Sequence, residues 1–447
     1  MATTRSNSRS AQPQLPPGAP TNPAILLNIW AAVSRAGGIA KYVEAQLTER
    51  GFLVKRRATD DMSAAELKRY KAELKREAAE KRTLQREAWL AYRAAHIVHL
   101  GEGVFFNDDL DFDRYDLAEP EARAAENELP KLDKPADLAA ALGVSIPELR
   151  WLGFHREAAT SIHYRRFEIR KRSGGLRPIW APLPRLKAAQ RWILREIVEH
   201  LPVHGAAHGF LPGRGILSNA QAHVGSKLIL NVDLKGFFPA VTWRRVKGVF
   251  RKAGYRDQIA TLLALICTEA PREVVEHNGE KLFVALGPRC LPQGAPTSPG
   301  LTNALCMRLD RRLAGLAASL GWRYTRYADD LTFSLPLTHK GDPKLGNLLG
   351  ALHTVVAAEG FEINPEKTRV SRPGARQKVT GLVVNGAAAP RVPRQLRRQL
   401  RAAVHNLEQG KPAADSVARL AGFAAFVHMT DAKLGSDLLA RLGKLPG

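Results

Sequence analysis

Cysteine is scarce: Cys267, Cys290 and Cys306 are the only three in 447 residues, and no C-x-x-C pair occurs. That excludes a disulfide framework and a Cys-ligated structural zinc. Long apolar runs are missing as well. No stretch approaches the roughly 18 residues that cross a bilayer. The first 23 residues, rich in Ser, Pro, Ala and Gln, lack the apolar segment of a secretory signal. Acid is in short supply: 43 Asp and Glu face 67 Lys and Arg, a formal net charge of +24 with a pI near 10.3. Such an excess points to a polyanionic partner, and phosphate backbones are the commonest. The expectation is a cytoplasmic protein without a membrane partner. Its 45% hydrophobic and 25% charged residues exclude a wholly disordered chain.

The length suggests about two to three domains, and no internal repeat is evident. Residues 1–24 read as a flexible tail, with four prolines between Pro13 and Pro20. Residues 25–145 read as a helical extension. Ser63 followed by Glu66 is a capping-box pattern, and Leu67, Tyr70, Leu74, Ala78, Leu84 and Ala88 mark one helical face, with Lys and Glu covering the others through Tyr92. Asp108, Asp109, Asp111, Asp113 and Asp116 read as a solvated acidic loop, lacking the glycine and closing glutamate of an EF-hand. From Ser161 onward strand signals, glycines and arginines become denser. Residues 161–200 hold ten Lys and Arg against three Glu, interleaved with Tyr164, Phe167, Trp180 and Trp192. Trp151, Trp180 and Trp192 read as core. After Gly386 comes an Arg-rich helical region, in which Arg391, Arg394, Arg397, Arg398 and Arg401 have no acid among them.

The chemistry is concentrated in three places. Tyr327-Ala328-Asp329-Asp330 lies between two alternating segments, a β-hairpin pattern with carboxylates at its tip. Lys227 to Asp233 is an apolar strand pattern ending on an acid, followed by Gly236, Phe237 and Phe238; Asp233 either caps a following helix or binds a cation. Were Asp233 and Asp329 to meet at about 4 Å, they would repel by roughly 4 kcal/mol at an effective dielectric near 20. A divalent cation relieves that repulsion. Carboxylates without His or Cys nearby select two Mg²⁺, or Mn²⁺, rather than zinc, which points to nucleotidyl transfer. The third place is Leu291 to Pro299, containing Gln293-Gly294, which leads into a helix striped by Leu301, Leu305, Leu309, Leu313, Leu316 and Leu320.

These blocks, in this order, resemble the reverse transcriptases over about residues 145–390. The segment Lys171-Arg172-Ser173-Gly174-Gly175-Leu176-Arg177 fits the same family. Asn219-Ala220-Gln221-Ala222-His223, preceded by His208-Gly209-Phe210, and Val379-Thr380-Gly381 resemble blocks of the retron reverse transcriptases, in particular their longer, myxobacterial-type members. The resemblance implies an α/β right-hand polymerase fold behind a helical N-terminal extension. Residues 146–232 would be fingers and the start of the palm, 233–385 the palm, and 386–447 a helical thumb.

It also implies residue roles. Asp233, Asp329 and Asp330 would be catalytic and hold the metal, helped by the Leu234 carbonyl. Lys171 and Arg177 would hold the triphosphate of a dNTP, Gln293 and Gly294 would line its pocket, and Phe238 would exclude ribonucleotides. Phe237 reads as core. Primer and template would meet Tyr327, Val379, Thr380, Gly381 and the arginines at 391, 394, 397, 398 and 401. Asn219 and His223 would serve either as RNA contacts or as internal hydrogen-bonding groups.

The implied activity is RNA-directed DNA synthesis on a cognate noncoding RNA (msr-msd), primed from a 2′-OH to give branched msDNA, in antiphage defence. A retron effector protein and a host RNase H would be further partners, since little chain remains for an RNase H domain. Group II intron-like, diversity-generating and abortive-infection reverse transcriptases, and an RNA-binding scaffold with a vestigial site, are the rival readings. The charge alone sets a prediction. Affinity for RNA, measured by fluorescence anisotropy, falls steeply between about 50 and 200 mM salt, because each neutralised phosphate releases counterions.

Overall fold

The computed structural model describes residues 22–106, 116–170, 174–386, 388–411 and 415–444. The chain forms two compact units, Met1–Tyr115 with Leu132–Arg156, and Asp116–Lys131 with Glu157–Gly447. The first contains α1 (Pro23–Ala36), α2 (Ile39–Glu49) and α3 (Ala64–Ala95). After α4 (Pro120–Glu126), which belongs to the second unit, it resumes with α5 (Pro135–Leu142) and α6 (Ile146–Gly153). Residues 1–21 of the expected tail lie outside the described residues, but the tail ends sooner than expected, because Asn22 already caps α1 by accepting from Ala24 N.

The first compact unit runs on through Arg156. Leu149 and Leu152 of α6 are buried in the first unit. Conversely, Asp116 belongs to the second unit: its carboxylate accepts from Asp257 N at 2.7 Å and pairs with Arg256. Asp116 is therefore no solvated loop residue. Asp108, Asp109, Asp111 and Asp113 fall outside the described residues.

In α3 the capping box forms as its sequence dictates. Ser63 Oγ accepts from Glu66 N, and Glu66 Oε2 accepts from Ser63 N. The buried stripe differs from expectation at one position. Tyr70, Glu77, Leu84 and Ala91 are buried at seven-residue spacing, so Glu77 and not Ala78 faces inward. Burial of an acid is tolerated because Arg56 pairs with Glu77 and Val54 N donates to it. Val33, Tyr42, Val43 and Leu47 from α1 and α2 complete this core with Leu84 and Ala88. Among the described residues, no single helix is long and apolar enough to cross a membrane.

The second unit is mixed α/β. Its short strand β1 (Ala158–Ala159) pairs with β6 (Glu280–Ala285), itself paired with β5 (Arg272–His277). Strands β2 (Tyr164–Arg170) and β3 (Leu176–Pro182) form a separate hairpin. The main sheet is antiparallel, ordered β7 (Arg323–Tyr327), β8 (Asp330–Pro336), β4 (Ser226–Leu234), β9 (Ile363–Ser371). Its middle strands are the apolar ones. Leu228, Ile229, Leu230 and Val232 in β4, and Leu331, Phe333 and Leu335 in β8, are buried, as befits central strands flanked on both sides.

Helices α7 (Pro184–Glu196) and α8 (Ile216–Gln221) precede β4 in the chain, and α9 (Trp243–Ala253) and α10 (Asp257–Cys267) follow it. Every residue of α10 from Ile259 to Cys267 is buried, so an all-round apolar sequence makes a core helix. The single Leu-striped helix expected after Pro299 is two, α11 (Ser298–Leu305) and α12 (Met307–Ser319), interrupted at Cys306, and Leu305, Leu316 and Leu320 are only half-buried. Then α13 (Leu345–Ala358) precedes β9. The two-residue strands β10 (Lys378–Val379) and β11 (Leu382–Val383) pair with each other. Their Val379 and Leu382 join one core with Leu400, Leu420 and Leu438 from α14 (Arg394–Glu408), α15 (Val417–His428) and α16 (Ala432–Leu442).

Beneath β7 lies an ion pair with no solvent exposure, Arg326 with Asp310 of α12 at 2.7 Å. Tyr324 Oη donates to the same carboxylate at 2.8 Å. Breaking a buried pair strands its surviving charge, at about 3–5 kcal/mol. The isosteric Asp310→Asn is accordingly expected to lower unfolding free energy by that amount, read from urea denaturation followed by circular dichroism.

Candidate active site

The hairpin β7–β8 closes through Ala328 and Asp329, and the β4–β8 ladder places Asp233 directly opposite Asp330. Directly opposed residues put their side chains on one face. Asp329 is tied in from the turn, where its carbonyl accepts from Leu234 N at 3.0 Å. Residues 96 positions apart thus meet through backbone hydrogen bonds. Asp233 caps no helix: a run of turns follows it, and α9 begins only at Trp243.

Electrostatics mark the cluster. Burial, and then the charge of Asp233, raise the Asp329 carboxyl above the usual carboxylate range. Asp330 keeps an accessible edge, yet crowding by protein, followed by the charges of Asp329 and Asp233, pushes it up to about 6. A cation opposes them. Lys367 Nζ donates to Asp233 Oδ1 at 2.9 Å, and Asn364 Nδ2 reaches Oδ2 at 3.4 Å. Lys367 arrives through an irregular register. Between the pairs Asn231–Arg369 and Asp233–Asn364, β4 has one residue and β9 has four. Such an excess bends a strand and re-aims its side chains. Nothing in the periodicity of β9 signals this, and the sequence reading missed Lys367.

The turn is held from below. Ala328 is buried with φ 55, a left-handed conformation uncommon for a residue with a Cβ. Arg326, already paired with Asp310, donates to the Ala328 carbonyl at 3.3 Å and to Asn303 Oδ1 at 3.0 Å. Asn303 Nδ2 donates to the Gly209 carbonyl at 2.8 Å. A Cβ on Gly209 would lie 2.9 Å from Ala328 N, so only glycine lets this loop approach the turn. Next to it, Phe210 and Tyr327 place their ring centroids 6.3 Å apart.

Beside the acids stands the β2–β3 hairpin. Arg177 on β3 is near enough for its charge to draw Asp329 downward; Lys171 lies outside the described residues. Trp180 N donates to the Gln293 carbonyl at 2.7 Å, docking the Gln293-Gly294 loop on β3. Gly294 has φ 118, and a Cβ there would meet Ile179 Cγ2 and the Trp180 carbonyl, both at 2.8 Å. Pro178, Trp180, Pro239 and Gln293 line a cavity of about 280 Å³. Phe238 is half-buried near it, whereas Phe237 is core, its ring 5.4 Å from that of Phe361.

The donor set is all oxygen: three carboxylates with no His or thiolate among them. This suits a hard divalent cation. The expected convergence is met by strand pairing but not by a closed ligand shell. Among the described residues, no three His, Cys, Asp or Glu side chains are gathered as a metal-holding group.

A family model described as reverse transcriptase (RNA-dependent DNA polymerase) matches residues 169–395. The retron Mx162 reverse transcriptase of Myxococcus xanthus is 52% identical over 93% of this chain and 88% of its own length. The retron Mx65 reverse transcriptase of the same organism is 45% identical over 73% of this chain and 75% of its own. For the retron Ec86 reverse transcriptase of Escherichia coli the identity is 34%, over 71% and 91%.

The chain belongs to the retron reverse transcriptases. It is an RNA-directed DNA polymerase, and enzymes of this kind generally use divalent metal ions. The group II intron-like, diversity-generating and abortive-infection readings give way to the retron one.

As a correction, Asn219 and His223 are fully buried and offer no surface to RNA. Asn219 Nδ2 reaches Thr380 Oγ1 at 3.4 Å, and Thr380 in turn donates to the Ile216 carbonyl, so α8 is tied to the Val379-Thr380-Gly381 turn. Val379 is also core, not surface; Thr380 is half-buried and Gly381 exposed. Arg394, Arg398 and Arg401 form an exposed row on α14, with Arg391 exposed just before it. Arg397 turns instead toward Asp431, 3.9 Å away. Trp180 and Trp192 are half-buried; Trp151, also half-buried, belongs to the first unit.

His223 bridges Thr325 and Ser334, its ring nitrogens 2.7 Å from each hydroxyl, joining β7 to β8 behind the turn. Burial, then the charges of Arg323 and His208, lower its pKa to about 3. It is neutral when folded and ordinary when unfolded, so the unfolded chain binds the extra proton between those values. Its stabilising contribution is present above about pH 6.5 and is lost as pH falls toward 3. The stability gap between wild type and His223→Gln is expected to narrow as pH drops from about 7 to 5, measured by urea unfolding.

Proposed function

We propose that this enzyme copies a cognate structured noncoding RNA (msr-msd) in the cytoplasm, priming from a 2′-OH of that RNA to give branched msDNA for antiphage defence. The observation that carries the catalytic part is the register that sets Asp233 opposite Asp330, with Asp329 in the turn between β7 and β8. The intact cluster speaks against a vestigial scaffold. In this reading the β2–β3 hairpin and its surroundings are fingers, the four-stranded sheet is the palm, and α14–α16 form a thumb.

Asp233 and Asp329, with Asp330 beside them and the Leu234 carbonyl nearby, hold two Mg²⁺, for which Mn²⁺ can substitute. When bound, such ions lower the pKa of an attacking hydroxyl and stabilise the leaving pyrophosphate. The rest falls to the chain. Arg177, with Lys171, clamps the dNTP triphosphate by charge and forked hydrogen bonds. Gln293 and Gly294 offer backbone at the floor of the nucleotide pocket, where a side chain at 294 would block docking on β3. Phe238 forms the wall against a 2′-OH. Tyr327, braced by Phe210, supports the primer end. The exposed row Arg394, Arg398 and Arg401, with Arg391, follows the phosphates of the growing hybrid. A host RNase H removes the copied RNA, and a retron effector is the downstream partner.

Given its RNA, dNTPs and Mg²⁺, the protein makes cDNA visible on a denaturing gel. The double change Asp329→Asn with Asp330→Asn is expected to abolish that product while RNA affinity stays within about twofold. Continued polymerisation by the double variant would remove the catalytic assignment.

A further inference from the structure

The first unit carries a cluster that polymerisation does not use. At the end of α3, Trp89, Tyr92 and Arg93 fall at helical spacing on one side, followed by His96 at the C-cap. Trp89 and Tyr92 stack with ring centroids 5.5 Å apart and planes at 12°. Tyr92 and His96 stack at 4.2 Å and 5°. Trp30 meets both Tyr92 and His96 edge-on and braces the row. His96 is oriented further, because its Nδ1 donates to the Tyr92 carbonyl. Despite this company Trp89 remains 43% exposed.

Two arginines stand over the same place. Trp89, Arg93, His96, Val98, His99 and Arg150 line a cavity of about 250 Å³. Arg150 Nε donates to the His99 carbonyl at 2.8 Å, and its guanidinium lies over the Phe154 ring at 4.7 Å. The arrangement fixes the fork, and the charged groups that bear on it among the described residues are Arg93 and Arg156, both of its own sign. From Ala88 through Gly101 the chain has no Asp or Glu. Crowded like charges beside a stacked aromatic row are unfavourable until an anion arrives.

A flat ring system with a phosphate answers each feature: the base gains an aromatic face and the phosphate gains guanidinium partners. The cavity has room for one such ring and not for a duplex. We propose that this cavity binds an unpaired nucleotide of RNA, its base against Trp89 and its phosphate between Arg93 and Arg150. The proposal rests on the RNA-templated reading above but concerns a site separate from the aspartates. It gives the N-terminal extension a task, that of holding a single-stranded segment of the RNA.

The test uses the full-length protein and a fluorescein-labelled oligoadenylate of about ten nucleotides, followed by anisotropy. Trp89→Ala is expected to weaken binding about tenfold and Trp89→Tyr much less. Arg93→Ala is expected to lower the salt slope by about 0.7. Thermal melting by circular dichroism reports whether each variant is folded; should Trp89→Ala fail to fold, Arg93→Glu, on the exposed surface of α3, takes its place with the same expected loss. Unchanged affinity in folded variants overturns the proposal and leaves an acidic protein segment as the better partner for the cavity. Primer extension by the wild type on a generic RNA template separates the two readings. If extension fails, the polymerase reading is at fault; if it succeeds while the variants bind as before, only the cavity is.

Discussion

The arrangement of the site depends on one constraint, the antiparallel register between β4 and β8. Side chains alternate along a strand, so a slip of one residue would turn Asp233 to the opposite face from Asp330 and send the apolar partners of β4 outward. The register is therefore fixed by burial of Leu228, Leu230 and Val232 and their neighbours, not by the acids, which repel. Apolar packing forces carboxylates together against their own electrostatics. That stored repulsion is what makes the place attractive to cations, as the Lys367 ammonium on Asp233 already demonstrates.

Such an arrangement needs a stiff support. Arg326 supplies it by joining three things at once: the Asp310 carboxylate of α12, Asn303 of α11 and the carbonyl of the strained Ala328. An arginine is suited to this because its planar fork offers five donors in fixed directions. His223 repeats the strategy on the other side of the hairpin with two hydroxyls. Both devices use buried polar groups that are costly unless satisfied. The turn is thereby locked into one conformation.

What could be read from the sequence follows from this division. The aspartates were legible because an acid at the end of an apolar strand, and an acid pair between two alternating segments, violate the ordinary pattern of a core. The capping box of α3 was legible because it is local. Contacts that depend on register were not. Lys367 reaches Asp233 only through the excess residues of β9, and a residue count cannot reveal where a ladder skips. Asn219 and His223 looked polar enough for RNA, yet their partners Thr380, Thr325 and Ser334 lie more than 100 residues away. Glu77 replaced Ala78 on the α3 stripe for a similar reason: hydrophobicity favoured the alanine, while the seven-residue stride and the distant Arg56 decided for the glutamate.

The basic excess divides along the same line. Arginines such as Arg326 and Arg272 are consumed internally, each paired with a buried acid. On α14, Arg394, Arg398 and Arg401 remain exposed at i, i+4 and i+7, while Arg397, one step around the helix, turns toward Asp431. A helix that merely needed solubility would gain from mixed charges, since like charges at i, i+4 repel by a few tenths of a kcal/mol. Keeping one sign on a single stripe, with the apolar Leu400 and Val404 buried opposite the solvent, is sensible where a polyanion lies along the helix and relieves that repulsion. The net charge of the chain therefore sums arginines neutralised by buried acids with arginines left on the surface of α14, and the sum alone does not distinguish the two.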